Sequence, residues 1–277
     1  MATSHRIASE SGYYHIMARG NNRTKIFGCH ADCRKMLRLM KRLSDQQEIR
    51  IYAYCVMPNH YHILLRTGSE GLSGEAGRQD LQILAQAMHR INTAYAHYYK
   101  NKYEYVGHVF QGRYLSRAID SHQYLSRVIR YIHDNPVKAS LTKLPEEYSF
   151  SSYRYYFFKT GRGPIYGRGI IAKDSKKLLR LMGFSNLSGF EIYHKEPLES
   201  DEWSKALFLE EDLEEEEAQK KERRMGQLKE AKARKDCLRG SFKRRNLSFS
   251  THNIKDYRRF KKYNQITSSI LTDSLTH

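Results

Sequence analysis

The stretch Met57-Pro58-Asn59-His60-Tyr61-His62-Ile63-Leu64-Leu65 decides how the rest of this chain is read. Side chains alternate across a strand, so His60 and His62 share one face while Tyr61 points to the other. Two imidazoles on one rigid face can hold a divalent metal ion between them. A half-buried strand with histidine on its polar face would look the same, so the pair needs independent support. Its surroundings are strand-like. Ile49 to Val56 reads as one strand, Pro58-Asn59 as a turn, and His60 to Arg66 as the antiparallel partner.

Working outward, Tyr13-Tyr14-His15-Ile16-Met17-Ala18-Arg19 reads as an earlier strand, ended by Gly20-Asn21-Asn22. A helix pattern follows from about Ala31 to Leu43, with Met36, Leu37, Leu39, Met40 and Leu43 as its apolar stripe. Ser69 to Gly77 reads as a glycine-bearing loop. Ile83, Leu84, Ala87, Met88, Ile91, Ala94 and Tyr95 place a long helix over Leu81 to Tyr99. Val109 to Ile119 alternates as a fourth strand. Ser121 is the expected N-cap of a helix carrying Tyr124, Leu125, Val128, Ile129 and Ile132. Pro136 predicts that this helix stops near Asn135, because a residue before proline is pushed out of the α region. The order β-α-β-β-α-β predicts an α+β, ferredoxin-like split βαβ fold. It has an antiparallel sheet with helices on one face, followed by an additional helix. We place this domain at residues 1–158.

Residues 159–277 form an extension with a thinner signal. Ser151 to Phe158 reads as a helix packed on the domain, Gly161 to Gly169 as a linker and Lys173 to Met182 as a further helix. Glu210 to Glu217 is rich in acid, and Lys220 to Lys235 is rich in base. Such opposed blocks suggest a solvated helix or disorder. The basic end, with Lys243-Arg244-Arg245 and Tyr257 to Lys262, is expected to be poorly ordered and to bind phosphates without sequence preference.

Composition bears on partners. In 277 residues, 48 Lys and Arg outweigh 30 Asp and Glu, for a formal net charge of +18. That excess points to polyanions, nucleic acid first. No apolar run is long enough to span a bilayer, and the N-terminus lacks a signal-peptide core. Of the cysteines, Cys29 and Cys33 have no matching second pair, which argues against a zinc ribbon. Cys55, in an apolar strand, reads as a small buried hydrophobe. Together with Cys237 they suit a reduced, cytoplasmic protein. The 21 tyrosines interleaved with basic residues suit single-stranded nucleic acid, although tyrosine is also an ordinary core residue.

Independent support for the histidine pair comes from Arg130-Tyr131-Ile132-His133-Asp134-Asn135-Pro136-Val137-Lys138. Tyr131 and Asn135, four apart, share one helical face. Together with Met57-Pro58-Asn59-His60-Tyr61-His62, this stretch resembles the IS200-like tyrosine transposases, in particular the REP-associated branch of the HUH endonuclease superfamily. Gly107-His108-Val109-Phe110-Gln111-Gly112-Arg113-Tyr114 fits the same branch, and the resemblance covers roughly Tyr13 to Tyr156. It implies that His60, His62 and Asn135 ligate a divalent metal, Mg²⁺ or Mn²⁺, and that Tyr131 is the nucleophile. It also implies a single-stranded DNA substrate containing a hairpin, cut and rejoined through a 5′-phosphotyrosine, by a monomer or a homodimer acting at the nucleoid. Arg19, Arg23, Lys25, Arg113 and Arg117 are the expected phosphate contacts, although any one of them is also an ordinary surface charge.

The chemistry is coherent. A phenol of ordinary pKa about 10 is a weak nucleophile at neutral pH, and a Lewis acid at the phosphate offsets that weakness. Among the other histidines, His133 is expected to face away from Tyr131, as a structural or solvent-exposed residue. His15, in the first strand, could border the site, but a satisfied core or surface histidine is its plainer reading. Two rival functions remain at this point. One is a domesticated relative that binds hairpin DNA without cutting it. The other is an RNA-binding module of the same topology, which needs exposed rings on its central strands.

Overall fold

We describe the chain from a computed structural model, which covers residues 7–46, 49–68, 75–157, 167, 169–196, 218, 222 and 225–229. In chain order the elements are β1 (Tyr13–Arg19), α1 (His30–Asp45), β2 (Ile49–Val56), β3 (His60–Thr67), α2 (Glu75–Tyr103), β4 (Leu115–Ile119), α3 (His122–Lys138), α4 (Tyr153–Phe157), α5 (Ser175–Leu181) and α6 (Leu187–Lys195). The strands form one sheet in the order β2-β3-β1-β4, and every neighbouring pair is antiparallel. β3 fills the gap between β1 and β2, and β1 fills the gap between β3 and β4. This is the interlocked pair of βαβ units of a ferredoxin-like fold.

Alternation sorts the two central strands onto two faces. Tyr14, Ile16 and Ala18 of β1 share a face with Tyr61, Ile63 and Leu65 of β3, and all are buried. α1 and α2 cover that face with Met36, Leu37, Met40, Leu84, Met88, Ile91 and Tyr95. Each such side chain, taken fully from water, contributes about 1.5–3 kcal/mol. Polar tips within this layer are paired: the Tyr61 hydroxyl donates to Asn92 Oδ1 at 2.7 Å and the Tyr95 hydroxyl to the Ile26 carbonyl at 2.5 Å. The opposite face carries His15, Met17 and Arg19 beside His60, His62 and Leu64, and α3 lies over it. The outer edge of β2 is also closed. Val56 N–H donates to the Phe150 carbonyl, Ser152 N–H to the Tyr54 carbonyl and Ala172 N–H to the Ile51 carbonyl. Covering an edge in this way blocks strand-to-strand aggregation.

Three expectations are corrected. β4 begins at Leu115, not Val109, because the chain bends over 111–113. Upstream of the bend, Gln111 N–H donates to the Arg19 carbonyl and Asn21 N–H to the Val109 carbonyl, which only prolongs the end of β1. α3 passes through Pro136 and ends at Lys138. The proline removes one helical bond, the donor that the Ile132 carbonyl would otherwise meet, and the helix ends two residues further on. The carbonyls there are taken up by a Schellman ending: Ser140 N–H donates to the Val137 carbonyl and Leu141 N–H to the Pro136 carbonyl, with Ser140 at φ 55°. His133 is fully buried, which removes the solvent-exposed half of its expected role.

Beyond the sheet, α4 is a single short turn, α5 falls within the expected Lys173–Met182 helix, and α6 was not expected. Most of the linker at 161–169 and of the charged runs after 197 lies outside the described residues. The chain divides into two units, Met1–Asp212 and Leu213–His277. The described positions of the second unit are helical and exposed. Among the described residues, no helix is long and apolar enough to cross a membrane.

Candidate active site

β3 presents His60 and His62 on its inner face, beneath α3, with ring centroids 4.9 Å apart. The Tyr131 ring stands edge-on to His62 at 5.4 Å and to His15 at 5.8 Å. One turn further along α3, the Asn135 side chain lies against His60. The structure therefore brings His60, His62, Tyr131 and Asn135 together in one buried cluster. Lys138 completes it on the solvent side, its Nζ 5.0 Å from the centre of the Tyr131 ring.

The electrostatics keep the imidazoles neutral. Burial lowers the His60 pKa to about 4, aided by the charge of Arg19 and opposed by the Asn135 side chain. Burial holds His62 well below the ordinary histidine value, with His60 and His15 adding to the effect. His15 is lowered to about 3 by burial and by Arg117. Neutral imidazole is the form that ligates metals.

Hydrogen bonds also restrict which nitrogens are available. His60 Nδ1 lies 2.7 Å from Asn59 Oδ1. An amide oxygen only accepts, so Nδ1 carries the hydrogen and Nε2 the lone pair. His62 Nδ1 lies 3.0 Å from His15 Nε2. His62 Nε2 is buried and has no hydrogen-bond partner among the described residues. A buried nitrogen without a partner, beside a second imidazole and an amide, suits a bound cation. Among the described residues no three His, Cys, Asp or Glu side chains converge as a metal cage. The groups that could hold an ion here are the two imidazoles and the Asn135 amide.

The basic residues separate into two groups. Arg19 is buried, and its Nε donates to Gln111 Oε1 at 2.9 Å. Arg117 is half-buried on β4 directly opposite His15. Arg23, Lys25 and Arg113 are exposed on the turns that follow β1 and precede β4. His108 is exposed as well. Sequence reasoning missed His15 as a partner of His62, and it missed Asn59. Asn59 had a local signal, its adjacency to His60. His15 had none, because its diagonal placement to His62 depends on the register of β1 against β3.

A second buried network holds α3 from behind. His194 Nδ1 donates to the Phe190 carbonyl at 3.0 Å, so its Nε2 accepts from His133 Nδ1 at 3.1 Å. His133 Nε2 then accepts from the Ser152 hydroxyl at 2.9 Å, and Ser152 Oγ accepts from Tyr54 N–H at 2.9 Å. Beside this network the Arg130 guanidinium stacks on Tyr193 at 5.1 Å and donates to the Glu196 carbonyl. The helix carrying Tyr131 and Asn135 is thus fastened to β2 and to α6.

A four-stranded antiparallel sheet with a buried pair of histidines and a tyrosine helix over them defines the class. Residues 8–135 match the family model described as "Transposase IS200 like". That span contains all four strands, both histidines and Tyr131, ends on Asn135, and is similar to the IS200-like transposases. No curated protein matches the chain. Two solved structures are similar to parts of it. One is described as a REP-associated tyrosine transposase bound to a REP hairpin, with 16% identity, coverage of 60% of this chain and 93% of that one, and a TM-score of 0.44. The other is a candidate transposase from Deinococcus radiodurans R1, with 16% identity, coverage of 48% and 96%, and a TM-score of 0.29. Both overlaps are too loose to transfer function, and the likeness rests on the family match.

Proposed function

We propose that this protein nicks and rejoins single-stranded DNA through a covalent 5′-phosphotyrosine on Tyr131. The observation that carries this reading is the edge-on approach of Tyr131 to His62, 5.4 Å between ring centroids, with Asn135 one turn on beside His60. Tyr131 Oη attacks the scissile phosphorus and loses its proton. The new O–P bond replaces the P–O3′ bond, and the released 3′ oxygen takes up a proton. Because one phosphodiester is exchanged for another, a 3′-OH can reverse the step without an outside energy source. His60, His62 and Asn135 would hold the divalent ion, Mg²⁺ or Mn²⁺. When bound, it supplies positive charge to the phosphate oxygens as a Lewis acid. Lys138 adds a fixed cation at the tyrosine ring. α3, fastened through His133 and Arg130, holds Tyr131 at one position relative to β3.

The substrate in this reading is single-stranded DNA containing a hairpin. Exposed Arg23, Lys25 and Arg113 contact its phosphates, and Arg19 and Arg117 set the positive field at the histidine face. Residues 1–158 carry the chemistry, and the basic part of 159–277 adds nonspecific affinity. An RNA-binding sheet is disfavoured because every residue of β1 and β3 is buried, leaving no exposed ring on the central strands.

The test is incubation of labelled single-stranded DNA drawn from the flanks of the gene with Mg²⁺ or Mn²⁺, then with EDTA, on a denaturing gel. The expected result is a metal-dependent protein–DNA adduct that disappears in Tyr131→Phe. Hairpin binding with no adduct under any of these conditions would replace the nuclease with a non-cleaving binder.

A further inference from the structure

The two β3 histidines are oriented by different means. Asn59 is adjacent to His60 in the chain and fixes its Nδ1 with an amide oxygen that can only accept. His62 has no such neighbour. Its Nδ1 meets an imidazole from a different strand, His15 Nε2, at 3.0 Å, with the rings stacked at 5.1 Å between centroids and 29° between planes. Both rings are completely buried. An imidazole acceptor, unlike an amide, has two tautomers, and only one of them leaves His62 fit to bind a cation.

If His62 Nε2 offers its lone pair, then the His62 hydrogen resides on Nδ1 and is donated to His15 Nε2. The His15 hydrogen then resides on its own Nδ1. We propose that His15 is a positioning residue for metal binding, accepting the Nδ1 hydrogen of His62 and thereby aiming His62 Nε2 at the ion. This rests on the reading of His60 and His62 as ligands. Partners of ligand imidazoles fix both ring orientation and tautomer, and their loss typically weakens metal affinity about 10–100-fold. The placement also explains a histidine of β1 that the chemistry otherwise does not use. His15 lies opposite Leu64, and Met17 lies opposite His62, so His15 reaches His62 diagonally across the strand pair. The same ring meets the Tyr131 edge at 5.8 Å, so a change at His15 is felt by nucleophile and ligand together.

The experiment measures Mn²⁺ binding to the full chain without DNA, by the loss of the free-ion EPR signal, in parent, His15→Leu, His15→Gln and His62→Ala. Leu fills space and accepts nothing, whereas Gln keeps an acceptor oxygen. We expect His15→Leu to weaken Mn²⁺ binding about 10–100-fold and His15→Gln to stay within about 5-fold of the parent. A His15→Leu protein that melts like the parent and binds Mn²⁺ within about 2-fold of it, while His62→Ala loses binding, overturns the role of His15 and leaves the ligand reading intact. A parent that does not bind Mn²⁺, or a His62→Ala variant that binds as well as the parent, instead overturns the ligand reading and this inference with it. A second readout needs no variant. In the ¹⁵N-labelled parent loaded with diamagnetic Mg²⁺, His62 is expected to be protonated at Nδ1, with the shift change at Nε2. Protonation at Nε2 in that state refutes the proposal even if His15→Leu fails to fold.

Discussion

Acidification should strongly destabilise this protein at a mildly acidic pH. Five imidazoles are buried in the neutral form. His60 and His194 are lowered to about 4 and His15 to about 3, chiefly by burial, while His62 and His133 lie well below the ordinary value for the same reason. In the unfolded chain each titrates near 6.5. The unfolded state therefore takes up protons first as pH falls. Stability is complete above about pH 6.5 and is lost between there and the folded values. At pH 5.5 each group costs roughly RT ln 11, about 1.4 kcal/mol, so five independent groups cost about 7 kcal/mol. If each hydrogen-bonded pair, His15 with His62 and His133 with His194, accommodates a first proton, three groups and about 4 kcal/mol remain. Asp134 works in the opposite sense. Burial raises its pKa to about 6, above the ordinary carboxylate range. It therefore favours the folded state as pH falls and offsets about 1 kcal/mol at pH 5.5. The net loss is about 3–6 kcal/mol, a large share of the roughly 5–15 kcal/mol typical of a folded domain. Urea unfolding followed by far-UV circular dichroism, in metal-free buffer at pH 7.5 and 5.5, measures it directly. His194→Gln, which keeps an acceptor for His133 but cannot titrate, should reduce the drop by about 1.4 kcal/mol if the two imidazoles titrate independently and leave it unchanged if the pair shares a first proton. A change of less than about 1 kcal/mol between the two pH values would refute the claim that these imidazoles are buried and neutral.

The remaining expectations are more local. Asn135→Ala should cut the rate of adduct formation at least about 10-fold in a single-turnover assay while leaving the melting temperature nearly unchanged, since the proposed third ligand is lost from a preformed cluster. Ser152→Ala strands the buried Tyr54 N–H and His133 Nε2 together, and should lower the unfolding free energy by about 2–4 kcal/mol in urea titrations. Ser140→Gly, at an exposed helix end with φ 55°, should raise stability by about 1 kcal/mol, read as a higher urea midpoint at unchanged slope. Ile63→Ala, beneath α1 and α2 and away from the histidines, should cost about 2–5 kcal/mol.

What could be read from the sequence divides along a physical line. Tyr13–Arg19 and Ile49–Val56 came out with the bounds seen in the structure because period-two alternation and the flanking turn residues are local signals. Tyr131 with Asn135, and His60 with His62, could be paired because each pair sits within one element, where spacing alone fixes the shared face. β4 was overextended because whether Val109 to Gln111 joins a regular ladder depends on how that segment meets the end of β1. The end of α3 was misplaced because a local rule about Pro136 lost to a turn that satisfies the exposed carbonyls. α6 was missed because its fastening to α3 joins residues 61 apart, His133 and His194. The same line runs through the site. The groups proposed to hold the metal and to attack the phosphate lie in two short motifs, while most of the groups that orient them, His15 from β1, Ser152 after β2's edge partner and His194 from α6, come from outside both. A copy that retained both motifs but lost those outside partners would still read as a nuclease by sequence. Its His62 and its tyrosine helix would no longer be held, so the adduct assay and the Mn²⁺ titration, not the motifs, decide whether such a chain is active.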